Sequence, residues 1–330
     1  MKKQLCFVLT VLLMLCGCQA AEKAVTKELF AMDTVMHLTA YTQNDQPLAQ
    51  AEAEIRRLEQ LLSVTLPQSD LYRLNHADGQ WVTLSDETVS LVTLAKTYAD
   101  QTQGRFDPTV YPAVAAWGFL DKQYTLPTEE LLTALQKCID YTAIEIDGNR
   151  VRLPKGMGID LGAIAKGYAA DQVKAVFDQA GVSGILSLGG NVLTIGQKPN
   201  GQPFSVAIQD PKNANQILGT LTLNGGQAAV TSGDYQRYFE QNGVRYHHIL
   251  DPKTASPAVS DLTSVTVIAD SAAAADAYAT ALFIAGKDTA LTLAETWSIQ
   301  AVLVTKEKQI ICTPKIDFTL THAQYTIETR

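Results

Sequence analysis

Apolar positions along this chain recur in two rhythms, about every third or fourth residue in some stretches and every second in others. Residues 29 to 41 mix Phe, Met, Val, His, Leu and Tyr with short polar residues and predict a strand. Leu48, Ala51, Ile55, Leu58 and Leu62 return at helical spacing and predict an amphipathic helix. Ser85 predicts the cap of a second helix carrying Val89, Leu91, Val92, Leu94 and Tyr98, and Thr128 with Glu129 and Glu130 opens a third after Pro127. Residues 143 to 153 alternate around Asp147-Gly148-Asn149, a hairpin signal. A helix is predicted from about Ala163 to Gln179, stopped by Gly181 in a left-handed cap. From 184 to 250, short β-branched runs are separated by Gly-Gly, Pro-Asn-Gly, Asp-Pro and Asn-Gly. A strand at 263 to 269 leads into an alanine-rich helix at about 271 to 285, then a further helix and strands at 300 to 305 and 309 to 313. Most strands are joined by short turns, so the predicted class is α+β, with largely antiparallel sheets and flanking helices.

The first residues fit neither rhythm. Lys2 and Lys3 precede an apolar run from Leu5 to Leu15, shorter than the roughly 20 residues a membrane-spanning helix needs. A positive start, a short apolar middle and small residues afterwards read as a signal peptide. Leu15-Cys16-Gly17-Cys18 looks like a bacterial lipobox. The expected organisation is a signal peptide at 1–17, a lipidated Cys18, a polar tether at 18–28 and a folded domain at 29–330, with room for two intimately packed subdomains. The body would sit on the extracytoplasmic (periplasmic) side of the cell membrane, held by its lipid. Ordinary secretion with cleavage near Ala20 or Ala21 is the alternative. Beyond the anchor only Cys138 and Cys312 remain, and a disulfide and two buried thiols are both open.

Charge narrows the partners. The chain has 34 acidic and 26 basic residues, a net −8, and no dense Lys/Arg patch, which argues against nucleic acid and anionic membrane surfaces. An acidic body that binds a nucleotide needs a metal or main-chain donors to offset repulsion.

Several short stretches could supply them, and each also has a plain structural reading. Arg105-Phe106-Asp107-Pro108 places an acid and a proline at a turn; Asp107 either orders that turn or the loop underlies a flat ligand with Phe106 as an apolar wall. Asp160-Leu161-Gly162-Ala163 opens a helix with Lys166 in its first turn. That suits phosphate binding at free N–H groups, or simply a cap with a solvated lysine. Gly189-Gly190-Asn191 interrupts an apolar strand, and Thr231-Ser232-Gly233 offers hydroxyls at a turn. His247 and His248 point to opposite faces of a strand, which argues against a shared zinc ion; one packs inside and the other faces a cleft near Asp251. Asp276 and Thr280 lie four apart on a helix of small residues, an oxygen pair suited to Mg²⁺, with alanines that leave room for a ligand.

In this order the stretches resemble the FAD:protein FMN transferase (ApbE-like) family across nearly all of the chain after its first 30 residues. The carriers are Met32-Asp33-Thr34, Ser69 to Asn75, Phe106 to Val110, Trp117-Gly118-Phe119 and Asp160 to Ala169. They continue through Gly189-Gly190-Asn191, Ile208-Gln209-Asp210-Pro211, Thr231 to Tyr235, His247-His248-Ile249 and Ala275 to Thr280. The resemblance implies an ApbE-like, T-fold-related architecture. It implies Mg²⁺ held by the Ala163 carbonyl, Asp276 and Thr280, and FAD, as substrate, contacted by Met32, Arg105, Phe106, Asp107, Asp160, Lys166 and Leu250. His248 and Asp251 fall close to the reacting phosphate. The implied reaction cleaves FAD, attaches FMN to a threonine or serine of a membrane redox flavoprotein subunit, and releases AMP. An FAD pyrophosphatase and a non-catalytic flavin-binding lipoprotein are the rivals. Two positions depart from the family pattern. Thr65 stands where an aromatic residue is common, and Ala255 replaces the glycine of an Asp-Pro-x-Thr-Gly loop, costing about 1 kcal/mol if that residue has positive φ.

Overall fold

Nine strands lie side by side in the order in which the chain makes them. They are β1 (Lys23–Ala31), β2 (Thr34–Thr42), β3 (Ser183–Leu188), β4 (Asn191–Ile195), β5 (Ala228–Gly233), β6 (Leu262–Ala269), β7 (Gln300–Thr305), β8 (Gln309–Cys312) and β9 (Thr326–Thr329). All neighbours are antiparallel except β8 and β9, so the α+β, largely antiparallel expectation holds. This computed structural model describes residues 23–329. The predicted signal peptide, Cys18 and the start of the tether lie outside the described residues.

The sheet is covered on both faces, and alternate residues divide between two cores. Met36, Leu38, Leu186, Leu193, Val230, Val267 and Leu303 face the helices α1 (Gln46–Leu62), α2 (Asp86–Gln101), α3 (Ala165–Ala180) and α4 (Ala272–Ala285). Ile185, Val192, Ala229, Ile268, Val302 and Val304, their immediate neighbours in sequence, face the three-stranded sheet of Phe204–Asp210, Asn213–Leu223 and Phe318–Leu320. Strands apolar on both sides read as continuous runs, which is why the sequence yields strands without facings.

Two expectations at the start of the domain need correction. The single strand at 29 to 41 is a hairpin: Met32 (φ 48°) and Asp33 (φ 60°) form a two-residue turn between β1 and β2. Positive φ at both central residues matches the strand twist, but neither residue is the Gly or Asn that announces such a turn. Residues 23–28, read as tether, belong to β1 and pair with Thr42 to His37. The ladder continues outward because Val25, Leu29 and Ala31 reach the core from alternate positions.

Other local signals are met. Ser85 accepts from the Thr88 N–H and Thr128 from the Leu131 N–H at their helix starts. The Asp147–Arg150 hairpin forms, and Gly181 (φ 65°) closes α3 in the left-handed region. Cys138 and Cys312 are both free. Among the described residues no helix is long and apolar enough to cross a membrane.

Candidate active site

Helices α3 and α4 cap each other where they cross. Asp171 of α3 accepts from the N–H groups of Ala272 (2.9 Å) and Ala273 (3.0 Å) and from the Ser271 hydroxyl (2.9 Å), securing the first turn of α4. In return Asp276 of α4 accepts from the Gly167 N–H (3.1 Å) in the first turn of α3. The N-cap residue there, Ile164, offers no side-chain acceptor, so the acid comes from the other helix. Glycine is required at 167: a Cβ would lie 2.2 Å from the Ala272 carbonyl oxygen. The alanines of α4, expected to leave room for a ligand, are instead buried by protein, because α4 packs closely against both α3 and the strands β5 and β6.

Of the predicted metal ligands, Asp276 and Thr280 lie at this crossing, and Ala163 stands in the loop that leads into α3. Asp276 is 4% exposed, and its Oδ2 also receives the Asn191 amide at 2.9 Å. Its Oδ1 receives no hydrogen bond from any described residue. Thr280, one turn along, stands 3.2 Å from the Ser232 hydroxyl. The Lys166 amine donates to the Gly162 carbonyl (3.0 Å) and lies 3.9 Å from Asp276 Oδ2, tying the loop that carries Ala163 to the α4 carboxylate. Among the described residues no three His, Cys, Asp or Glu side chains converge as a metal cluster. The donors are therefore one oriented carboxylate with an open oxygen, hydroxyls and main-chain carbonyls. That set fits a hard cation that keeps several waters, such as Mg²⁺, and not zinc.

The histidines part at the end of a strand: His247 closes it and His248 lies in the bend that follows. His247 is buried, its Nε2 within 3.1 Å of the Ala258 carbonyl, its Nδ1 without a partner, and its ring edge-on to Phe283 of α4. Burial pushes its pKa down to about 4. His248 sits instead among the site's charges. Its main-chain N–H (3.0 Å) and its Nδ1 (3.1 Å) both meet the Arg237 carbonyl. A carbonyl only accepts, so Nδ1 carries the proton and Nε2 keeps a lone pair. Burial, then the positive charges of Arg237 and Lys166, push the His248 pKa down to about 3, so the imidazole is neutral. Asp251 orders its own turn: Oδ1 accepts from the Lys253 N–H (2.9 Å) and its carbonyl from Thr254 (3.1 Å) and Ala255 (2.8 Å). Ala255 has positive φ (54°), as expected if glycine belongs there, and Trp117 Nε1 donates to its carbonyl at 2.8 Å. Leu250 is buried with Trp117, Phe119 and Ala255.

The remaining predicted residues divide between the site and its scaffold. Met32 donates its N–H to Glu59 (2.6 Å), and its neighbour Asp33 meets Lys122 at 2.9 Å and Arg237 at 3.5 Å. Asp160 is half-buried, held by the Pro108 carbonyl at its N–H (2.8 Å), while its Oδ1 accepts from Gly162 (2.6 Å). Burial raises its pKa, against the pull of Arg237 and Lys166. Asn75 grips Ile159, one residue earlier, through both ends of its amide. Phe106 and Asp107 turn into the fold. Phe106 is 2% exposed, and Asp107 gives both oxygens to Thr109 and Tyr141. Arg105 is half-buried, with one amine near the Thr102 carbonyl (3.4 Å) and Gln103 (3.3 Å).

Arg237 and Glu59 carry no site signal in the sequence, and Asn191 and Ser232 stand there only within candidate stretches with no role of their own. Asn191 had a signal, a polar residue after two glycines in a buried strand. Arg237 had none, since its partners at 33, 119 and 248 are remote in sequence. Two surface depressions, one around Asn75, Tyr111 and Met157 and one around Thr222, Asn224 and Ile316, include none of the predicted site residues. Chemistry rather than concavity marks the site.

Known proteins resemble this chain in sequence and fold. The chain is 33% identical over 287 residues to an FAD:protein FMN transferase of Klebsiella pneumoniae (strain 342), covering 85% of this chain and 89% of that protein. The crystal structure of the ApbE protein from Thermotoga maritima superposes with a TM-score of 0.81 at 34% identity, covering 86% of this chain and 95% of that one. The apo flavinyl transferase ApbE of Pseudomonas stutzeri gives 0.79 at 30% identity, covering 92% and 96%. Residues 32–303 match the model of the ApbE family, and the chain belongs to that family.

Proposed function

We propose that the protein is a Mg²⁺-dependent flavin transferase that cleaves FAD, attaches FMN through a phosphoester to a threonine or serine of an extracytoplasmic redox protein, and releases AMP. One observation carries the reading: a buried carboxylate, Asp276, is fixed through one oxygen and open at the other, beside Lys166 and within a site whose histidine is neutral. The relatives' names support FAD and FMN as the nucleotides.

Asp276, Thr280 and the Ala163 carbonyl would hold the cation, which when bound draws charge from the pyrophosphate oxygens. Lys166 adds positive charge at the start of α3, where main-chain N–H groups already favour phosphate. The acceptor hydroxyl oxygen bonds to the FMN-side phosphorus as the bond from that phosphorus to the bridging oxygen breaks. AMP departs with the bridging oxygen, and the hydroxyl proton passes to Nε2 of His248. Asp251 fixes the loop that follows the histidine. A lipid on Cys18 would keep enzyme and acceptor at one membrane face; a Cys18→Ala variant that stays membrane-bound would contradict this.

Purified protein incubated with FAD, Mg²⁺ and a threonine-containing acceptor peptide tests the reading. Fluorescent, covalently labelled peptide with AMP is expected. Free FMN and AMP without labelled peptide would make the protein a pyrophosphatase, and unchanged FAD would make it a binding protein only.

A further inference from the structure

Arg237 joins separate parts of the site, and it does so with both its ends. Its guanidinium Nη2 donates to the Phe119 carbonyl at 2.8 Å and lies 3.5 Å from Asp33 Oδ2, in the turn that carries Met32. Its own carbonyl receives both the N–H and the Nδ1 of His248. We propose that Arg237 is the positioning residue of this site, its side chain pinning the Met32–Asp33 turn while its main chain aims His248, so that seating of the dinucleotide and orientation of the base are set together.

Both side-chain contacts are made by one nitrogen, Nη2, which the planar guanidinium holds in a fixed direction; an ammonium is a point charge on a flexible stem. The turn it pins is strained, with two non-glycine residues at positive φ, and its other tethers are Glu59 at the Met32 N–H and Lys122 on Asp33. Loss of the guanidinium leaves Asp33 with the exposed Lys122 alone. The same guanidinium lies in the field of His248 and Asp160, with Lys166 as the second cation and His247 as the neighbouring ring. Removing its charge favours the imidazolium; keeping the charge on a lysine does not. Direction and charge are therefore separable.

The inference rests on the flavin-transfer reading for what the site seats, but its test needs no turnover. FAD affinity is measured by flavin fluorescence, and the His248 titration midpoint by imidazole NMR, in wild type, R237Q, R237K and D33N. R237Q is expected to weaken FAD about tenfold and to move the His248 midpoint upward. R237K should keep the midpoint near wild type yet still bind FAD several-fold more weakly. D33N, at an exposed position that tolerates the change, should weaken FAD with the midpoint unmoved, and it decides the matter should R237Q fail to fold. If R237Q changes only one of the two readouts, if R237K restores both, or if D33N binds FAD as wild type does, the inference is wrong. Wild type that binds FAD but never labels an acceptor would overturn the transfer reading and leave this one standing.

Discussion

At the crossing of α3 and α4 most polar partners come from regular elements: Asp171 and Gly167 from one helix, Asp276 from the other with Ser271 as its N-cap, Asn191 from a strand. Around His248 the partners are main-chain carbonyls, a strained two-residue turn and a loop with Ala255 at positive φ. The crossing is held in place by packing, and glycine and alanine are there because backbones meet. The histidine strip is held by hydrogen bonds to irregular backbone and by the charges of Arg237 and Lys166. A cation site needs the first kind of rigidity, since its ligands must not relax when the ion arrives. A proton acceptor needs the second, since its state is set by field and hydrogen bond.

Substitutions separate the two. The largest effect is expected for Asp276→Asn, which keeps an oxygen to accept from Gly167 and Asn191 but loses the charge and the open anionic oxygen. FMN transfer should fall about a thousandfold, roughly 4 kcal/mol in barrier, with Tm within a few degrees of wild type. Unchanged transfer at limiting Mg²⁺ would remove Asp276 from the metal site. Next is Gly167→Ala, where the added methyl meets the Ala272 carbonyl and forces the helices apart. Urea denaturation should show a loss of about 3 kcal/mol, and a loss under 1 kcal/mol would mean that the crossing is not close-packed.

The histidine strip should respond to pH. His247 is buried with its pKa lowered to about 4, so it binds a proton in the unfolded chain before it does in the fold. Its stability contribution is therefore complete above the unfolded value, about 6.5, and is lost as pH falls toward 4. Between pH 6.5 and 5 this costs about 2 kcal/mol; His248, lowered to about 3, adds a slope of similar size, so His247→Gln should remove about half of the combined slope. A variant with the wild-type slope would assign the acid sensitivity elsewhere. The smallest effect belongs to Ala255→Gly. Relief of left-handed strain, about 1 kcal/mol, is offset by greater freedom of the unfolded chain and loss of a buried methyl, each of similar size. The net change should stay within about 1 kcal/mol, and a gain above 2 kcal/mol would show strain that Trp117 does not hold.

The same contrast decides what could be read from the residues alone. The shared face of Asp276 and Thr280 was legible from helical spacing, and the α3 end because the Gly181 cap signal is local. The antiparallel class followed from short turns between apolar runs. The Met32–Asp33 turn was not legible, since its residues have no preference for positive φ and the ladder of β1 and β2 imposes it. Nor was the inward turn of Phe106 and Asp107, which depends on Tyr141 and on a core assembled from distant strands. Arg237 was invisible for the same reason: its four connections, at 33, 119 and twice at 248, exist only after folding.

The central claim, that a hard cation binds where α4 meets the start of α3, is tested most directly by crystals grown with FAD and Mn²⁺ in place of Mg²⁺. The account predicts an anomalous peak coordinated by Asp276 Oδ1, the Thr280 hydroxyl and the Ala163 carbonyl, with phosphate oxygens completing the shell. FAD bound in the site with no peak there, or with the peak on other ligands while the same crystals release AMP, would contradict it.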